Sequence, residues 1–195
     1  MSANALAPRS ISNSSSKFLI LATMVTFGVA LITLSAKIQV PFWPVPVTLQ
    51  TLAIMGLAAA YGLRLGLATI FSYLAIGLMG APVFAGIAAG PAYFAGPTAG
   101  YLAGFVVAVA IVGYVADRVS SKNILALIAA SLVGTVAIYV LGAYWLGFVF
   151  IGSSGNLLGF DGAWKYGVQP FILADIVKAV LASLAVPAIS GLMKK

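Results

Sequence analysis

The chain has 195 residues, 63% of them hydrophobic and only 7% charged, whereas soluble domains carry about 25% charged residues. Such a chain cannot cover its own surface with polar groups in water, so composition selects a bundle of membrane spans over a soluble domain. Cysteine and histidine are both absent, which excludes disulfide staples, a Cys/His metal site, a thiol nucleophile and an imidazole base; the net charge of +7 leaves nucleic-acid binding or topogenic charge to be separated by position.

Residues 1–16 are polar and rich in Ser, Ala and Asn, and read as a short tail ahead of a six-helix domain over 17–195. The uncharged run from Phe18 to Ala36 is too long for the core of a cleaved signal and is expected to be a retained first span. Lys37 marks an interface, and the three prolines between Val40 and Pro46 forbid a continuing helix. A second span is expected from Thr48 to Tyr61, a tight turn at 62–66 containing Arg64, and a third span to Met79. From Leu65 to Ala116 there is no charge. Within that run the Gly- and Pro-rich segment Gly80–Pro97 is not helix-like. Non-helical backbone near membrane depth is tolerated where it is buried in protein or lines a cavity, so this loop is either part of a binding site or a connector outside the membrane.

Thr98 to Ala116 reads as a fourth span, Asp117 to Lys122 as a polar turn, and Ile124 to Trp145 as a fifth span. Phe148 to Pro170 is a longer connection, and Phe171 to Met193 a sixth span. Small residues at four-residue spacing, Ala22/Thr26/Ala30 and Gly96/Gly100/Gly104, suit close helix packing. The fold expected is therefore an all-α integral membrane bundle of six helices. Six crossings put both termini on one side, together with Arg9, Lys17, Arg64, Arg118, Lys122, Lys194 and Lys195, opposed by Asp117 alone. Positive charge collects on the cytoplasmic side, so the termini are placed there. This sorting accounts for most of the net charge and removes the motive for a nucleic-acid partner.

Two charges remain inside a span. Asp175 and Lys178 are three residues apart and share a helix face. An ionisable group in a span is costly and marks function by default, although a self-satisfying pair closing a helix end is the alternative. The two irregular loops and this pair fall at the same, outer end, as a capped pocket would require. Polar groups in reach are Thr48, Gln50, Tyr93, Thr98, Tyr101 and Asn156, each of which is also an ordinary helix-end residue. No Gly-rich phosphate loop with Lys is present, so ATP hydrolysis by this chain is not expected. Capture of a small molecule without covalent chemistry is the reading that remains, with no enzyme activity, cofactor or metal implied.

The segments Val40-Pro41, Pro44-Val-Pro-Val-Thr-Leu-Gln-Thr51, Gly80-Ala-Pro-Val-Phe-Ala-Gly86, Gly96-Pro-Thr-Ala-Gly-Tyr-Leu-Ala-Gly-Phe105 and Asp175-Ile-Val-Lys178, in this order, closely resemble the BioY family. Members are substrate-binding (S) components of energy-coupling-factor biotin transporters. The resemblance implies a six-helix bundle in the bacterial cytoplasmic membrane that binds biotin tightly near the extracellular face. It implies a transmembrane coupling (T) protein and a cytoplasmic ATPase pair as partners. The coupling protein would dock on the first helix, where Ala22, Thr26 and Ala30 form the nearest match to the family's small-residue surface. Asp175 would accept the ureido N–H groups, and Lys178 would serve the ureido oxygen or the carboxylate. Thr98, Tyr101 and Gln50 would contribute polar contacts, and loop residues such as Phe42 and Gly86 would enclose the ring. An S component for another vitamin, and a small membrane scaffold or enzyme, are the competing readings.

Overall fold

The computed structural model describes residues 14–120, 123–152 and 155–192. Helix α1 (Ser14–Lys37) leads into a two-residue ladder in which β1 (Gln39–Val40) pairs antiparallel with β2 (Val47–Thr48). Then follow α2 (Gln50–Leu78), the single turn α3 (Pro91–Phe94), α4 (Ala99–Ala116), α5 (Ile124–Phe148), α6 (Gly159–Gly167) and α7 (Ile172–Leu192). Four of these helices are long and apolar enough to cross a bilayer, and the α6–α7 pair, bent by 50°, makes a fifth candidate. The expected sequence of six crossings is thus met at the level of an all-helical, membrane-type bundle. The first helix starts at Ser14, inside the segment assigned to the tail; Arg9, Lys122, Lys194 and Lys195 lie outside the described residues.

Helix α2 is one element in name only. Gly62 has φ 74° and ψ −175°, a backbone that L side chains rarely adopt. The Gln50 side chain nevertheless donates to the Tyr73 hydroxyl at 2.9 Å, across 23 residues. A continuous helix would hold these residues about 35 Å apart. The chain therefore folds back at Gly62 into two antiparallel arms, 50–61 and 63–78. The turn is tighter than the five-residue one expected, and Arg64 and Leu65 belong to the second arm. Asp117, at the end of α4, supplies the reason: its Oδ2 accepts the Leu63 N–H at 3.1 Å, capping the second arm from another helix. A Cβ on Gly62 would strike this same carboxylate.

The arms of α2 and helix α4 form the centre of the bundle, with α5 beyond α4 and with α1 and α7 against α2. Helices α4 and α5 meet backbone to backbone, since a Cβ at Gly104 would sit 2.6 Å from the Ile138 Cα. This is the close approach that small residues permit between spans. Three buried hydroxyls are satisfied within their own helices, Thr69 donating to the Leu65 carbonyl, Thr135 to Ser131 and Ser183 to Ala179, whereas the buried Ser131 hydroxyl has no hydrogen-bond partner among the described residues. Large apolar side chains such as Phe27, Leu34, Val133, Val140 and Leu173 face outward. In water that surface would be a liability; in lipid it is the solvated one. The connection after α5 is not plain loop, because α6 forms within it and packs on α5.

Candidate ligand-binding site

A cavity lies at the end of the bundle where α2, α4 and α7 begin. Its walls come from the Val45–Thr48 loop, α2, the 80–98 segment, α4, α5 and α7, and none from α1. Tyr93, Tyr101, Leu102, Phe105, Ile138 and Phe171 make most of the apolar lining.

Polar chemistry concentrates on one wall. Asp175 sits in the first turn of α7, where the helix dipole favours a carboxylate. It is 4% exposed, and Lys178, one turn on, is 8% exposed. Asp175 Oδ1 accepts from Lys178 Nζ and from the Thr51 hydroxyl, each at 2.8 Å. Its Oδ2 accepts from the Tyr139 hydroxyl at 2.8 Å. Lys178 Nζ also donates to the Thr48 carbonyl at 2.7 Å. Four elements thus converge on one ion pair: β2, α2, α5 and α7. Replacement of such a pair by apolar side chains is often neutral or stabilising, so a purely structural role does not require it. The pair also keeps capacity to spare. A carboxylate offers about four acceptor positions and an ammonium three donors; three and two, respectively, are engaged among the described residues.

Of the residues singled out from sequence, Asp175, Lys178, Thr98, Tyr101 and Gln50 line the cavity, as do Thr48 and Tyr93. Tyr101 is anchored by donation to the Gly167 carbonyl at 2.8 Å, tying α4 to the end of α6. Gln50 is held by Tyr73, which in turn donates to the Val83 carbonyl at 3.1 Å. Burial raises the Tyr93 phenol above its ordinary value, with hydrogen bonds from Thr98 and the Ala85 backbone opposing the rise, so it stays neutral at physiological pH. Phe42 and Gly86 are not part of the lining. Phe42 is 44% exposed on the outside of the proline-rich loop, whose inward residues are Val45 and Pro46. Gly86 is turned toward Lys37 instead, as its carbonyl accepts from Nζ at 2.8 Å. Asn156 is exposed and also lies away from the cavity. Thr51 and Tyr139 were not among the residues singled out, yet both bind Asp175 directly.

Ala22, Thr26 and Ala30 lie along one side of α1. Thr26 and Ala30 are exposed and Ala22 partly so. The Thr26 hydroxyl turns back to its own helix, donating to the Ala22 carbonyl at 2.9 Å, so the residue presents a small, apolar outer surface.

Comparison with known proteins adds the relatives of this chain. A probable biotin transporter BioY from Pyrococcus horikoshii is 36% identical over 169 residues, covering 87% of this chain and 95% of that protein. The biotin transporter BioY2 of Lactococcus lactis is 35% identical over 162 residues, covering 83% and 85%. The biotin transporter BioY of Thermotoga maritima is 34% identical over 155 residues, covering 80% and 86%. The crystal structure at 2.1 Å of the S-component for biotin from an ECF-type ABC transporter superposes with a TM-score of 0.78 at 26% identity, covering 93% of this chain and 95% of that one. The profile of the BioY family matches residues 9–195, and the chain belongs to that family.

Proposed function

We propose that the protein is the biotin-capturing S component of an energy-coupling-factor transporter. The observation that carries this reading is the wall formed by Asp175, Lys178, Thr51 and Tyr139 beside an aromatic cavity, in a member of the BioY family. Biotin presents a ureido group with two N–H donors and one acceptor, an apolar bicycle and chain, and a carboxylate. One ureido N–H takes the free acceptor position on Asp175, and the third N–H of Lys178 donates to the ureido oxygen. Leu102, Phe105 and Ile138 receive the rings. The pair then acts as a neutral, pre-satisfied patch that binds a neutral polar group without needing to be taken apart.

In this reading the bundle crosses the cytoplasmic membrane six times. The two arms of α2 count as separate spans, both termini are cytoplasmic, and the cavity opens near the outer face. Energy comes from a cytoplasmic ATPase pair through a transmembrane coupling protein docked on Ala22, Thr26 and Ala30. The test is biotin binding to purified protein, paired with labelled-biotin uptake in a biotin-auxotrophic host with and without coupling partners. Saturable binding without partners, and uptake only with them, is the expected outcome. A stronger thermal shift with thiamin or riboflavin than with biotin would replace biotin as the substrate.

A further inference from the structure

The 80–97 segment has no regular structure beyond the four residues of α3, yet it does not lie loosely on the surface. Long irregular loops in compact bundles are commonly functional. Val83, Phe84 and Ala85 are buried, while Ile87, two residues further, is 96% exposed. The chain thus dips inward for three residues, deepest at Phe84, and the last of them, Ala85, reaches the cavity wall. Phe84 anchors the dip: its ring stacks on Tyr93 at 4.4 Å and meets Tyr73 edge-on at 5.3 Å. These contacts are dry.

The remaining fastening is different in kind. Lys37, the last residue of α1, reaches across 47 and 49 residues to donate to the carbonyls of Phe84 at 2.7 Å and Gly86 at 2.8 Å. It brackets Ala85 from both sides. Lys37 is exposed, and α1 contributes no residue to the cavity lining. A basic residue at a helix end ordinarily serves its own last carbonyls or the membrane interface; this one serves a distant loop. The Gly86 bond is exposed and the Phe84 bond part-buried, and the ammonium that makes both is itself exposed, so water can reach this fastening more readily than the buried Phe84 ring.

We propose that Lys37 is a positioning residue that latches the 84–86 segment over the ligand and thereby sets how slowly bound ligand leaves. This rests on the biotin reading above. Lys37 does not touch the ligand in this arrangement, so its loss acts on dissociation more than on association.

The test uses labelled biotin and the full chain in detergent or nanodiscs, following association and dissociation separately for the unmodified protein, Lys37→Met, Lys37→Gln and Lys37→Arg. Lys37→Met keeps the apolar stem and removes both donors; dissociation about tenfold faster with association changed less than about twofold is expected. Lys37→Arg, which can span both carbonyls, should restore slow dissociation. If Lys37→Met does not accumulate as folded protein, Lys37→Gln must still release biotin faster than Lys37→Arg. Dissociation rates equal to the unmodified protein across the variants, or a loss confined to association, overturn the latch while leaving biotin binding intact. Absence of saturable biotin binding by the unmodified protein overturns both the functional reading and the latch.

Discussion

At the scale of single residues, the hydroxyl that holds Asp175 is as informative as the charge that pairs with it. Tyr139 donates to Oδ2, the oxygen that retains the freer acceptor position. Removing that hydroxyl should let the carboxylate rotate toward Lys178 and Thr51, both of which already bind Oδ1. Tyr139→Phe is therefore expected to weaken biotin binding about tenfold, the effect of losing one hydrogen bond to a charged group. Asp175→Asn should weaken it further, toward a hundredfold, because one acceptor becomes a donor and Lys178 loses its counter-charge. Isothermal titration of the purified variants measures both; unchanged affinity in Asp175→Asn would remove the pair from the site. Asp175 and Lys178 were legible in the sequence because charges inside an apolar span are rare and expensive. Tyr139 and Thr51 were not, since Tyr and Thr are ordinary in spans and only the bend of the chain brings them to the carboxylate. Phe42 and Gly86 show the converse. Both sit in the right loops, but a loop's composition does not say which of its residues turn inward.

At the scale of elements, α1 stands apart. It packs chiefly against α2, and its outer side, with Thr26 and Ala30, is left open beside exposed Phe27 and Leu34. Lipid alone would accept large side chains everywhere on that face, whereas a partner helix at close range requires small ones. Thr26→Leu and Ala30→Leu together should therefore abolish partner-dependent biotin uptake while leaving biotin binding by the isolated protein within about twofold. Uptake assays in cells, set beside binding to purified protein, separate the two; undiminished uptake would place docking elsewhere. The small-residue spacing was readable in the chain. The hairpin at Gly62 was readable only in outline, because the cap that fixes its position comes from Asp117, 55 positions away in sequence. Helix α6 was missed altogether. Its nine residues include three glycines, and propensity argues against a helix that packing on α5 supports.

At the scale of the whole molecule, the Gly62 fold-back and the cavity mark opposite ends of the bundle. The Gly62 fold-back, the Asp117 cap and Arg118, whose guanidinium stacks on the Tyr114 ring, share one end. The cavity, the β1–β2 ladder, the 80–97 segment and α6 share the other. Basic residues flanking spans are retained on the cytoplasmic side, so the first end should face the cytoplasm and the cavity the outside. The absence of native cysteine makes this directly measurable, because one introduced thiol is the sole thiol in the chain. Ile87, 96% exposed in the 80–97 segment, and Ser120, exposed beyond α4, report on opposite ends. In intact cells or spheroplasts, a membrane-impermeant maleimide should label Ile87→Cys fully and Ser120→Cys only after the membrane is permeabilised. Saturating biotin should leave the Ile87→Cys labelling unchanged, since that side chain points away from the loop's buried stretch. Labelling of Ser120→Cys in sealed cells would invert the bundle, and with it the side from which biotin enters.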